Sequence, residues 1–130
     1  MVIDTSIILA IFFKEKHCQW AVDHMNKHAR ELRMSTVNLT ETLIHLQDRQ
    51  PQLFSTLEDK LLYNGIRFVA PDVSQSQIAA QARIKFPLNL GDSFAYALAL
   101  KEDCPILTLD KDFLKLDHPI IFPDKMEDTP

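Results

Sequence analysis

Asp92 stands in the first turn of residues 90–100, a segment that from Phe94 onward is almost wholly apolar and rich in Ala and Leu. A helix apolar on every side is a buried one, so a carboxylate at its start has two readings. It can complement the positive end of the helix dipole, or it can reach out of the core as a metal ligand, with Gly91 beside it presenting no side chain to block access. Asp4 closes a short apolar run and can cap the helix that follows, as can Thr5 or Ser6. Glu41 shares a helical stripe with Val37 and Ile44. A buried unpaired carboxylate there is costly, and a rim position, a salt bridge or a metal would each relieve it. Asp110 follows the apolar run 105–109, with Asp112 close behind. Four carboxylates aimed at one pocket cannot all ionise in apolar surroundings. Hard divalent cations remove that conflict, and all-oxygen ligation selects Mg²⁺ or Mn²⁺ over Zn²⁺. Two such ions about 3.5–4 Å apart can activate a water and stabilise the leaving oxygen in phosphodiester hydrolysis.

These acids need elements to hold them. A buried strand ends at Asp4 and is followed by a turn and an apolar helix. Residues 16–33 read as an amphipathic helix, with Trp20, Ala21, Met25 and Ala29 at helical spacing. Its His24 and His28 form an i,i+4 pair that lacks a third ligand and reads as a solvated face. A short strand at 32–35 leads to a helix capped by Ser35 or Thr36 and running to about Gln47. Pro51 is expected in the first turn of the next helix, with Leu53, Leu57, Leu61 and Leu62 on its apolar side and Asn64-Gly65 as its stop. A strand at 66–69, a turn at Pro71-Asp72, a helix at 73–85, the segment opening with Leu90, and strands at 105–109 and 119–122 complete the chain. Strands alternating with helices predict an α/β fold with a parallel sheet covered on both faces. In such sheets ligands bind beyond the carboxyl ends of the strands, where Asp4 and Asp110 fall.

The 130 residues, 46% hydrophobic and 25% charged, suit one soluble domain, expected over residues 1–123 with a polar, frayed tail at 124–130. No apolar run reaches the roughly 20 residues of a membrane span, and the N-terminal stretch lacks the marks of a signal peptide. Cys18 and Cys104 are far apart and in no CxxC pair, which argues against zinc or a disulfide framework and for a reducing, cytoplasmic setting. A net charge of −4 argues against a protein that merely coats nucleic acid. Two bound Mg²⁺ would bring that charge to about zero. Lys14, Lys16, Arg83, Lys85, Lys111 and Lys115 lie near the acidic segments in sequence, where each is either a phosphate contact or an ordinary solvated charge.

Val2-Ile3-Asp4-Thr5-Ser6, Ser35-Thr36-Val37-Asn38-Leu39-Thr40-Glu41, Leu90-Gly91-Asp92-Ser93-Phe94-Ala95 and Leu107-Thr108-Leu109-Asp110-Lys111-Asp112-Phe113 together resemble the four motifs of the PIN domain, in its order and spacing. The likeness spans nearly the whole chain and points to the VapC-type toxins of bacterial toxin–antitoxin pairs. It implies a compact three-layer α/β/α sandwich with a short, mainly parallel sheet. It also implies an Mg²⁺- or Mn²⁺-dependent endoribonuclease, inhibited by a cognate antitoxin that fills the groove with an Arg near the acidic site, and commonly a homodimer. Carried over position by position, Asp4, Glu41, Asp92 and Asp110 are the metal-binding and catalytic acids, with Asp112 the alternative fourth. Thr5, Ser6 and Thr108 match the small hydroxyls that support them. The low net charge and the minimal first strand depart from the family pattern without removing a motif.

Other readings fail on particular residues. A haloacid-dehalogenase-type phosphatase needs a second Asp where Ser6 stands. An EF-hand loop starting at Asp110 would have Leu114 in its fifth place and lacks the required Gly. There is no nucleophile elbow for a serine or cysteine hydrolase. A non-catalytic PIN module acting through protein or RNA contacts is the remaining alternative, against which the full set of acids weighs.

Overall fold

In the computed structural model, which describes residues 1–124, five short parallel strands form one sheet in the order β3-β2-β1-β4-β5. The strands are β1 (Val2–Ile3), β2 (Arg33–Ser35), β3 (Arg67–Val69), β4 (Ile106–Leu107) and β5 (Ile120–Ile121). The helices are α1 (Thr5–Phe12), α2 (Cys18–Lys27), α3 (Thr36–Arg49), α4 (Phe54–Leu62), α5 (Val73–Lys85) and α6 (Leu90–Glu102), with a 3₁₀ turn at Lys111–Lys115. The expected α/β sandwich is therefore present, and its sheet is parallel throughout. Residues 125–130 of the expected tail lie outside the described residues. Among the described residues no helix is long and apolar enough to cross a membrane.

Successive strand residues point to opposite faces, and this alternation divides the core in two. Ile3, Met34 and Leu107 join Ile7, Ile8, Met25, Leu46 and Leu61 beneath α1 to α4. Val2 and Ile106 join Leu88, Ala95, Leu98, Ala99 and Phe113 beneath α5 and α6. Val2 pairs with Arg33 on one side and Ile106 on the other, which makes β1 the central strand. At the amino ends of the strands, Arg33 and Arg67 are register partners, and both reach Glu102, at 3.8 and 2.6 Å. The carboxyl ends of β1 and β4 deliver Asp4 and Thr108 on the other side.

Local signals placed several elements closely. Asp72 accepts the Gln75 amide and starts α5, Ser35 accepts the Val37 amide and starts α3, and Gly65 at φ +84 follows α4. Others moved. The helix expected over 16–33 spans only Cys18–Lys27, and Ala29 lies beyond it. The chain leaves the helix so that Leu32 is buried and Arg33 pairs with β1, a tertiary demand that overrides periodicity. Pro51 does not open α4, which begins at Phe54. It falls just after α3 ends, within the turn that links α3 to α4, and Leu53 is left half exposed. The stripe Val37, Glu41, Ile44 is not the packed face of α3. Ile44 is 61% exposed, and the buried positions are Asn38, Thr42 and Leu46. The strand expected over 105–109 stops at Leu107, because the Leu109 amide donates to Ser6 Oγ instead of to a neighbouring strand.

Candidate functional site

Asp4 follows β1 and is only 2% exposed. It occupies the N-cap position of α1, yet its side chain makes no capping bond. Both carboxylate oxygens are taken by hydroxyls: Ser6 Oγ donates to Oδ1 at 2.6 Å and Thr108 Oγ1 to Oδ2 at 2.8 Å. The same hydroxyls accept backbone amides from the loop after β4, Ser6 from Leu109 at 3.0 Å and Thr108 from Asp110 at 2.9 Å. Burial raises the Asp4 pKa to about 6, and the Asp110 charge adds to the rise, while the Ser6 and Thr108 hydrogen bonds oppose it.

Glu41 comes from α3 and meets α1 and α6. Thr5 Oγ1 donates to its Oε1 at 3.3 Å and Asn38 Nδ2 to the same oxygen at 3.0 Å. Its carboxylate fills the space that a Cβ on residue 91 would need.

Asp92 is in the first turn of α6, so the helix-dipole position is real, but the cap is Asn89, whose Oδ1 accepts the Asp92 amide at 2.8 Å. Ser93 Oγ bonds back to the Asn89 carbonyl at 2.8 Å. Burial pushes the Asp92 carboxyl up to about 7, with further increments from Asp110, Asp4 and Glu41 in that order, partly offset by a backbone hydrogen bond from Asn89. Its Oδ2 is buried and has no hydrogen-bond partner. Asp110 Oδ1 accepts the Asp112 amide at 2.9 Å and opens the 3₁₀ turn. Asp92, Asp110 and Asp112 each offer an oxygen within 4.8 Å of the other two.

The fold thus brings Asp4, Glu41 and Asp110 each into electrostatic range of Asp92, and Asp112 offers an oxygen close to those of Asp92 and Asp110, whereas Asp4 and Glu41 stand outside that tighter group. Thr5, Ser6 and Thr108 each bond one of these acids. His24 and His28 lie elsewhere: His24 bonds the Trp20 carbonyl and stacks on that ring, and His28 faces Glu31. Two residues escaped the sequence reading. Asn89 could have been found as a favoured cap residue directly before the helix. Asn38 could have been found as a polar side chain one turn before Glu41 on the same face. A cluster of carboxylates, one carrying an orphaned buried oxygen, has the donor chemistry of a hard divalent metal site.

Residues 1–119 match the sequence model of the PIN domain. Ribonuclease VapC42 of Mycobacterium tuberculosis is 35% identical over 126 residues, covering 90% of this chain and 95% of its own. VapC ribonuclease Mb2780c of Mycobacterium bovis gives the same figures. Among solved structures, VapBC2 from Rickettsia felis bound to a promoter DNA fragment superposes with a TM-score of 0.78 at 13% identity, over 95% of this chain and 98% of that one. VapC20 of Mycobacterium tuberculosis, a toxin cleaving the sarcin–ricin loop, does so with a TM-score of 0.75 at 16% identity, over 87% and 92%.

Proposed function

Because this chain belongs to the PIN domain family, we propose that it is a divalent-metal-dependent endoribonuclease, the toxin of a toxin–antitoxin pair. In this reading Asp4, Glu41, Asp92 and Asp110 hold Mg²⁺ or Mn²⁺, with Asp112 within reach of the same site. The observation that carries it is the convergence of these carboxylates from β1, α3, α6 and the loop after β4, with Asp92 Oδ2 buried and unpartnered. A bound cation of this kind supplies a water of lowered pKa and stabilises charge on the leaving oxygen.

The chain's own residues supply position and charge. Ser6 and Thr108 hold both oxygens of Asp4 and tie them to the backbone of the Asp110 loop. Thr5 and Asn38 orient Glu41. The Asn89 cap sets the first turn of α6, and with it Asp92. The acidic cluster repels bare phosphates, so RNA is held productively only once that charge is neutralised.

Solved relatives of the same fold are described as VapBC assemblies. A cognate antitoxin is the partner proposed here, and an acidic pocket favours an Arg from it as a bidentate cation. The active form is proposed to be a homodimer acting on RNA in the cytoplasm.

The test is cleavage of RNA with Mg²⁺ or Mn²⁺ and with EDTA, with analysis of the product ends. Metal-dependent cleavage leaving a 5′-phosphate and a 3′-hydroxyl is expected. Cleavage that survives EDTA, or a 2′,3′-cyclic phosphate product, would overturn the mechanism.

A further inference from the structure

Asn38 is on α3 and 1% exposed. Its Nδ2 makes two bonds, to Glu41 Oε1 at 3.0 Å and to the Gly91 carbonyl oxygen at 3.1 Å. One amide therefore joins the carboxylate of α3 to the first turn of α6. Thr5 Oγ1 donates to the same Glu41 oxygen from α1. On its other side Asn38 is poorly served, because Oδ1 is buried and finds no partner. A buried carbonyl without a donor costs stability, and Leu would fill a similar volume without that cost. The residue's contribution is therefore its two donors and the atoms they hold.

We propose that Asn38 is a positioning residue for the metal site. It pins Glu41 Oε1, within the space a Gly91 side chain would fill, and so leaves Oε2, which neither Asn38 nor Thr5 holds, for the cation. The proposal rests on the reading of the carboxylates as a divalent-cation site. Partners that hold a metal ligand in this way characteristically cost 10–100-fold in metal affinity when removed.

The test measures Mn²⁺ binding to the full chain by the loss of the free-ion electron paramagnetic resonance signal. Asn38→Leu and Asn38→Asp should weaken binding about 10–100-fold while far-UV circular dichroism stays unchanged. Gln75→Leu, which alters an equally buried polar residue away from the site, should leave binding as in wild type. In a Glu41→Gln background, Asn38→Leu should cause little further loss, because its effect runs through Glu41. A folded Asn38→Leu that binds Mn²⁺ like wild type, or losses that simply add in the double variant, would overturn the proposal. Should the Asn38 variants not fold, side-chain amide exchange in wild type decides. Slow exchange of the Asn38 amide protons, slowed further by Mg²⁺, supports the role, and fast exchange indifferent to Mg²⁺ rejects it. Wild type that binds no Mn²⁺ would instead sink the metal-site reading itself.

Discussion

The carboxylate of Glu41 occupies the place where residue 91 would carry its Cβ, so Gly91 is fixed by a side chain fifty positions earlier in the chain. Gly91 is helical here, and its value is the missing atom and not a special backbone angle. Gly91→Ala should therefore push the Glu41 carboxylate aside. Because the obstructing group is the far end of a flexible side chain, and Ala is the better helix former by roughly 1 kcal/mol, stability should change little. RNA cleavage and Mn²⁺ binding should fall by tenfold or more. Parallel melts and cleavage assays check this, and a fully active Gly91→Ala would contradict the geometry.

Asp92→Asn separates charge from fold. The Asp92 pKa rises from 3.8 to about 7, first through burial and then through Asp110, Asp4 and Glu41. The folded state thus binds a proton that the unfolded state has already released, so this group's contribution to stability is full below the unfolded value and is lost as pH rises toward 7. Metal-free wild type should weaken across that window, and Asp92→Asn should be as stable or more stable at neutral pH. Mg²⁺ should stabilise wild type more than the variant, by mass action on the native state. Were Asp92 only a dipole partner for α6, its loss would instead cost about 0.3–1 kcal/mol and leave the Mg²⁺ response unchanged. Thermal melts with EDTA and with Mg²⁺ distinguish the two.

Thr108 bridges Asp4 Oδ2 and the Asp110 amide. Thr108→Val keeps the shape and leaves both groups unpaired, which should cost about 1–3 kcal/mol in urea unfolding. Losing a bond that lowers the Asp4 pKa should also raise that pKa. Mn²⁺ binding should therefore suffer more at pH 6 than at pH 8, and Thr108→Ser should restore it.

The Asn89 side chain caps α6 in the turn that carries Asp92. Asn89→Ala should lose about 0.5–2 kcal/mol of stability, and Asn89→Ser should recover most of it. Cleavage should follow the same order, because the cap also sets the direction of Asp92. Equal activity in the two variants would detach the cap from the site.

Much of this protein was set by short-range chemistry, and that part could be read directly. Residues 73–85 form α5 as the Pro71-Asp72 turn before them and Pro87 after them indicate, since a turn and a proline act on their own neighbours. Alternating strands and helices dictate a parallel sheet, and a parallel sheet places Asp4 and Asp110 at its carboxyl edge. What the sequence left undetermined lies between elements. The early end of α2, the exposure of Ile44 and the offset of Pro51 from α4 follow from which helix face meets the sheet and from how much chain is needed to reach the next strand. The same holds at the site. Asn38 bonding Gly91, Thr108 bonding Asp4, and Asp112 joining Asp92 and Asp110 depend on the relative placement of α1, α3, α6 and the loop after β4. Periodicity within a helix records which residues share a face, but it carries no information on where a second helix crosses it. That crossing is fixed only when the side chains on both faces pack.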